Sequence, residues 1–452
     1  MLDIGSRLEL FVDGWLIERM RRARLVLQHP VPREAVLRFN EPWEGPFCGY
    51  VTVIKDGGTY RLYYRGMPDV KKGDGEAVAC YAESEDGIHW TKPRLGLFEV
   101  CGTRENNVVL ADGSSATHNF CPFLDAKPGV PRAERFKAVG GTGSNGLTAY
   151  VSADGVRWRR LRKEPIITEG AFDSQNLAFW SQSENCYVCY FRVFAAGVRT
   201  VSRTTSKDFL HWTKPKRMTF GDTPMEHLYT NQTGPYFRAP HIYVATPARF
   251  WGGRRVVTDA QAQAVGVLPG YERDCSDGVF MTSRGGTRYD RTFMESFIRP
   301  GLGAQNWVSR TNYPALNIVP TGEAEMSIYV HRNYAQRTGY LQRCTLRTDG
   351  FVSVNAPYAG GELLTRPLKF TGGRLEINCA TSAAGSIRVE IRNARNKPIA
   401  GYSARDAVPI IGDEIQRVAA WKGGADVGEL AGKPVRLRFV MQDADLYSIR
   451  FL

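Results

Sequence analysis

Three features of this sequence predict an all-β chain. Aromatic-rich runs alternate with period two: "TYRLYYRG" (59–66), "NCYVCYFRVF" (185–194), "HIYVATPARF" (241–250) and "EMSIYVHRNY" (325–334). Glycine turns separate them, and no long amphipathic helix pattern intervenes. A short motif, Ser-x-Asp-(Gly)-x-x-Trp, recurs at "SEDGIHW" (84–90), "SADGVRW" (152–158) and "SKDFLHW" (206–212), with "SRGGTRY" (283–289) a weaker copy and "RTDGF" (347–351) a degenerate last one.

The motif reads as a hairpin turn. Asp and Gly supply the turn chemistry, and the aromatic residue (Trp90, Trp158, Trp212, Tyr289) packs the outgoing strand on its neighbour. Each unit also carries an upstream Tyr-rich strand, and four-stranded units repeating in this way form blades. About five units fit before residue 355. After "NAPYAGG" (355–361) the alternating strands "GRLEINCAT", "GSIRVEIRN", "PVRLRFVMQ" and "LYSIRFL" lack the motif and read as a β-sandwich. The expected architecture is a five-bladed β-propeller over 1–354 followed by a β-sandwich over 355–452, with "PYAGGELLTRP" as linker.

Bulk properties narrow the function. At 452 residues the chain exceeds one ordinary core, and 43% hydrophobic with 23% charged residues is a globular composition. The net charge of +13 is dispersed, with only short runs at 19–24 and 157–163, so the basic surface predicts no nucleic-acid partner but leaves room for an anionic substrate. Nine scattered cysteines argue against a disulfide framework, and Cys186 and Cys189 point to opposite faces of one strand rather than to a metal. There is no transmembrane run, and the start "MLDIGSRLELF" is unlike a signal peptide, so a cytoplasmic location without a membrane partner is expected. The oligomeric state is not encoded in any pattern found.

Repeats such as "CYAESEDGIHWTKPRLGLFE" and "SRTTSKDFLHWTKP", together with "FDSQN", resemble the five-bladed propeller glycoside hydrolases, the superfamily of invertase/fructosidase, levansucrase and arabinanase-like enzymes. The resemblance covers roughly residues 35–350, and the C-terminal strands are similar to the accessory sandwich of invertase-like members. The "NDPNG" box near the start is absent, as is a clean Arg-Asp-Pro box. The Ser-x-Asp-Gly-x-x-Trp copies also resemble the Asp-box of the six-bladed sialidases, which has one more residue between Asp and Gly. The resemblance implies a carbohydrate substrate, weakly a furanoside, and no cofactor; some arabinanase-like relatives hold an axial cation near a histidine, which would fall on His118.

In a propeller, the segments entering each innermost strand line a central funnel. Blade one is entered through "NEPWEGPFCGY" (40–50), bringing Trp43, Glu44 and Tyr50, and blade two through "ATHNFCPF" (116–123), bringing His118 and Asn119. "GAFDSQNLAFW" (170–180) brings Asp173, Gln175 and Asn176 to blade three. "PMEHLYTNQTGPY" (224–236) brings Glu226, His227, Tyr229 and Asn231, and "QNWVSRTNYPAL" (305–316) brings Trp307 and Arg310. Glu325 begins a strand and has Arg310 as its candidate partner.

Glycoside hydrolysis needs one protonated and one ionised carboxyl flanking the bond, and a third acid commonly tunes the first. The expected set is Glu226 as general acid, Asp173 as tuning group or base, and Glu44 as nucleophile or base. Each has a structural alternative: a solvated loop Glu at 44, an Asx-turn at 173, a turn cap at 226. Asp86, Asp154 and Asp208 belong to the repeat and read as structural; Asp277 is a turn Asp and Asp13 a turn before the propeller. Rival readings are a non-catalytic carbohydrate-binding propeller and a sialidase-like enzyme, the latter needing an arginine cluster and a Tyr/Glu pair.

Overall fold

The computed structural model describes residues 1–68 and 77–452. The chain is nearly all-β, with one α-helix, Asp259–Val265, among the described residues. Two compact units form: residues 30–322 with 326–345, and residues 1–29 with 323–325 and 346–452.

The larger unit is a succession of antiparallel sheets. The first comprises Gly49–Asp56, Thr59–Gly66, Val78–Ser84 and Val108–Leu110. The second comprises Cys121–Leu124, Phe136–Gly140, Thr148–Ser152 and Arg159–Arg160. The third comprises Leu177–Ser181, Cys186–Ala195, Val198–Ser206 and Lys216–Arg217. The fourth comprises Thr233–Tyr236, Ala239–Ala245 and Met281–Ser283, with the hairpin Ala248–Trp251/Cys275–Gly278 inserted. The fifth contains Tyr313–Pro314, Val319–Pro320, Glu325–Arg332 and Tyr340–Arg347 and is completed by Val31–Arg38 from the start of the unit.

The Tyr-rich runs form second strands because both of their faces are buried. On Thr59–Gly66, Leu62 and Tyr64 join a core shared with Tyr329 and Leu341 of the fifth sheet, whereas Tyr63 between them joins one shared with Phe120 and Tyr150 of the second. Period-two alternation thus feeds two cores rather than one core and solvent.

The repeat motif closes the same turn three times. Ser84, Ser152 and Ser206 donate to Oδ1 of Asp86, Asp154 and Asp208 at 2.9–3.0 Å. Each Oδ1 accepts backbone N–H groups from the residues two and three positions on, at 2.7–2.9 Å. Each Trp Nε1 donates to the carbonyl three residues back at 3.1 Å. That carbonyl residue is left-handed, Gly87 at φ 74° and Gly155 at φ 76°, and in the third copy Phe209 holds φ 70°. The glycines are needed for space as well: a Cβ on Gly155 would lie 2.6 Å from the Tyr63 hydroxyl, which donates to the Gly155 carbonyl. Tyr329 makes the matching bond to Gly87.

In the smaller unit, Leu375–Asn393 and Val435–Phe451 pair along most of their length and anchor a ten-stranded sheet. Here the expected division at 354/355 is corrected. Ile17–Arg21 pairs with Gly361–Thr365, Arg24–Leu27 with Val352–Ala356, and Leu2–Gly5 with Leu368–Phe370. Residues 1–29 therefore satisfy their backbone groups on C-terminal strands, and Phe11 and Leu16 enter that core. "RTDGF" also belongs to this unit: Asp349 is buried and accepts from Ser448 and Asn378, so it is no copy of the repeat.

Candidate active site

A pocket opens in the larger unit, lined among others by Tyr50, Arg65, Gln175, Tyr229, Gln232, Arg310, Tyr313, His331 and Tyr334. These residues come from the first, third, fourth and fifth sheets and the segments entering them. Below it, two amides tie the sheets together. Gln175 Nε2 donates to Thr52 Oγ1 at 2.8 Å, and Gln232 Nε2 donates to Gln175 Oε1 and the Pro314 carbonyl, both at 2.8 Å. Cys121 of the second sheet lies 3.5 Å from Thr52 Oγ1.

The entering loop Phe172–Asn176 is shaped by asparagines. Asn119 Nδ2 donates to the carbonyls of Gly141, Phe172 and Ser174 at 2.7–2.8 Å, and Asn176 Nδ2 to Phe172 and Ser174 at 2.9 and 3.1 Å. With its carbonyls held inward, the loop buries Ser174, Gln175 and Asn176 and turns out Asp173, whose side chain is 62% exposed. Asp173 Oδ1 lies 3.3 Å from His118 Nε2, and Oδ2 lies 3.4 Å from Arg192 Nη2. Partial burial pushes its carboxyl upward, but the His118 hydrogen bond and the Arg192 charge outweigh that and hold it below the usual carboxylate range.

Arg65 is held by the Phe47 carbonyl and by the Tyr334 hydroxyl at 3.1 Å, and its Nη1 lies 2.9 Å from His118 Nε2. Its guanidinium lies 4.7 Å over the Tyr50 ring, and His118 packs on the same ring at 5.7 Å. Arg192, Arg199 and Arg310 each approach the Tyr229 ring, at 5.1, 5.4 and 5.2 Å. Among the described residues, no Asp or Glu lines the cavity.

Four buried polar atoms of the lining have no hydrogen-bond partner among the described residues: Gln232 Oε1, Arg310 Nε, Tyr313 OH and His331 Nε2. His331 is neutral, since burial and the Arg65 and Arg332 charges hold its pKa down at about 3. Burial raises the Tyr50 and Tyr313 phenols well above the ordinary value, so both keep their protons. Tyr50, Gln232 and Arg310 hold left-handed backbone at φ 51°, 45° and 60°, a strain that the surrounding packing sustains.

Of the predicted residues, Tyr50, Gln175, Tyr229 and Arg310 line this cavity, and Asp173 and His118 stand beside Arg65 and Arg192. The expected acid triad does not converge there. Glu44 is fully buried: Oε1 accepts from Tyr64 at 2.5 Å and pairs with Lys92 at 2.7 Å, while Oε2 accepts the Glu41 N–H. Its carboxylate is taken up by Tyr64, Lys92 and the Glu41 N–H. Glu226 lines a different cavity and is gripped by Arg249 and Arg291 at 2.8 and 2.9 Å. Asp277 shares Arg249.

Trp43 is core, its Nε1 donating to Asn107 at 2.7 Å. Asn119, Asn176 and Asn231 are buried and bonded to nearby backbone. His227 accepts the Arg199 N–H, and Trp307 donates to the Gly301 carbonyl; neither lines the cavity. Glu325 falls in the smaller unit, and Arg310 is not its partner: the guanidinium packs on Tyr229 and Tyr271. Among the described residues, no group of three or more His, Cys, Asp and Glu is placed to hold a metal ion, and no helix is long and apolar enough to cross a membrane.

Sequence reading missed Arg65, Arg192, Gln232, Tyr313, His331 and Tyr334. A signal existed: "LYYRG", "CYFRVF" and "IYVHRN" each set a basic residue into a buried aromatic strand.

No protein-family model matches the chain. Over 122 residues it is 34% identical to the uncharacterized proteins Rv1502 and MT1551 of two Mycobacterium tuberculosis strains, H37Rv and CDC 1551. The match takes in 26% of this chain and spans only 36% of the length of those relatives. Similar solved structures include an N-acetylgalactosamine deacetylase from F. plautii in complex with blood group B trisaccharide (12% identity, 71% of this chain and 95% of that one, TM-score 0.47). A fructofuranosidase from Schwanniomyces occidentalis complexed with fructosylnystose aligns over 94% of this chain and 98% of that one (9% identity, TM-score 0.41). A glycosyl hydrolase from Bacteroides ovatus aligns over 75% and 93% (15% identity, TM-score 0.38). Glycoside hydrolases recur among these structures.

Proposed function

We propose that this chain is a glycoside hydrolase whose larger unit is a five-bladed β-propeller, with its sugar site in the cavity beside Asp173. The smaller unit is read as an accessory β-sandwich. The Gln175–Gln232 chain, which joins the entering segments of the sheets at one point, supports a central axis. Val31–Arg38 completing the last sheet supports a ring closed by the start of the unit.

The observation that carries the functional reading is the cluster of Gln232, Arg310, Tyr313 and His331, whose buried polar atoms lack partners at one cavity. Buried polar groups are ordinarily satisfied, and a hydroxyl-rich ligand satisfies donors and acceptors together. Tyr50, Tyr229 and Tyr313 supply apolar ring surface for a sugar face.

Asp173, ionised and exposed, takes the base or nucleophile role. His118 Nε2 stands 3.3 Å from it and positions it. Glu44 and Glu226 drop out of the catalytic set because each is already saturated elsewhere. Substrate preference for a furanoside follows only from the family resemblance. A second reading, binding without chemistry, is favoured by the absence of a carboxylate from the cavity lining.

The two separate in one assay: digestion of an oligosaccharide panel with product detection, using the native chain and Asp173→Asn. Release by the native chain that the variant lacks supports hydrolysis. Tight binding without release by either leaves the binding reading.

A further inference from the structure

We propose that the sugar unit held in this cavity carries a carboxylate, as a uronic acid does, and that Arg310 is the residue that grips it. The inference rests on the reading of the cavity as a glycan site and adds the substrate class.

The lining is one-sided in charge, with the ionised Asp173 standing beside it at His118. Two guanidinium groups, Arg65 and Arg310, line a cavity with no acid in its wall. Arg65 spends donors on a carbonyl and a phenol and lies against the His118 imidazole. Arg310 donates one hydrogen bond, Nη1 to the Tyr271 hydroxyl at a long 3.4 Å, and has no carboxylate partner among the described residues. Its Nε is buried and unpartnered. A largely buried cation without a counter-ion is costly, whereas a bound anion converts that cost into affinity.

The geometry selects the anion. With Nη1 turned to the Tyr271 hydroxyl and the guanidinium carbon 5.2 and 5.1 Å from the Tyr229 and Tyr271 ring centroids, the Nε–Nη2 edge is what remains. Two parallel donors in a plane match a planar carboxylate. Gln232 Oε1, Tyr313 OH and His331 Nε2 remain for the ring hydroxyls; Gln232 and His331 are each 3% exposed. The left-handed backbone at Arg310 fixes where the fork starts. A net charge of +13 favours the approach of an acidic polysaccharide.

Calorimetric titration of the full chain tests this with galacturonate and glucuronate oligomers, their methyl esters, and sulfated and neutral oligomers of similar length. One of the uronates is expected to bind roughly ten- to a hundred-fold tighter than its ester, as a charge-assisted bidentate pair supplies. Arg310→Gln brings that ratio close to one, and Arg310→Lys restores only part of it. The acid–ester comparison uses the native chain, so it holds even if a variant fails to fold. Equal binding of acid and ester, binding of sulfated or neutral oligomers alone, a ratio unchanged in Arg310→Gln, or no uronate binding at all overturns the proposal. Sugar release measured on the same oligomers separates the two readings: uronate preference without cleavage defeats the hydrolase alone, and cleavage of neutral sugars without charge preference defeats this inference alone.

Discussion

The three Ser-x-Asp turns and the cavity use the same kinds of residue to opposite ends. In the turns, Asp86, Asp154 and Asp208 each accept from their own serine and from two backbone N–H groups, and each Trp donates to its own turn. Those bonds all close within the seven-residue motif. In the cavity, Gln232, Arg310, Tyr313 and His331 come from distant segments and keep buried polar atoms that no group among the described residues answers. A polar cluster that satisfies itself is architecture; one that is buried and unsatisfied is a place for a ligand.

Breaking a self-satisfied element should cost stability and leave chemistry alone. The largest effect is expected at Glu44, whose replacement strands Lys92 and the Tyr64 hydroxyl: Glu44→Gln should lose about 3 kcal/mol or more in denaturant unfolding, with turnover per folded molecule unchanged. A drop in turnover without a stability loss would put Glu44 back in the catalytic set.

Next comes His331. It is neutral when folded, with a pKa of about 3, but takes up a proton when unfolded below about pH 6.5. The unfolded chain therefore binds more protons between those values, and stability falls as pH falls through that window, by about 1.4 kcal/mol for each pH step at most. Thermal melts from pH 7 to 4 should show His331→Asn falling less steeply than the native chain; parallel slopes would count against a buried neutral imidazole. The smallest effect is at Asp154→Ala, expected to cost about 1 kcal/mol in the same unfolding measurement and nothing in ligand affinity.

The repeat was legible because it is local: the Ser, Asp, Gly and Trp that make each turn are adjacent in the chain. "GAFDSQN" was legible in part, since four polar residues before an apolar strand marked an unusual loop. The sequence did not show that Asn119 would pin it, or that only Asp173 would face outward. Glu44 misled because its partners, Tyr64 and Lys92, stand 20 and 48 residues away. Arg65, Arg192 and His331 stayed hidden inside strands whose aromatic period drew the attention; their convergence depends on which sheets adjoin. For the same reason, the pairing of residues 1–29 with strands some 350 residues later left no local trace.

The most direct test of the central claim sets Asp173→Asn beside Glu44→Gln and Glu226→Gln, each measured for turnover per folded molecule on the best oligosaccharide found. Loss of about a hundredfold or more in Asp173→Asn alone, with its melting temperature near that of the native chain because the side chain is exposed, is the expected result. Near-normal turnover in Asp173→Asn, with loss in either of the other two, would contradict it.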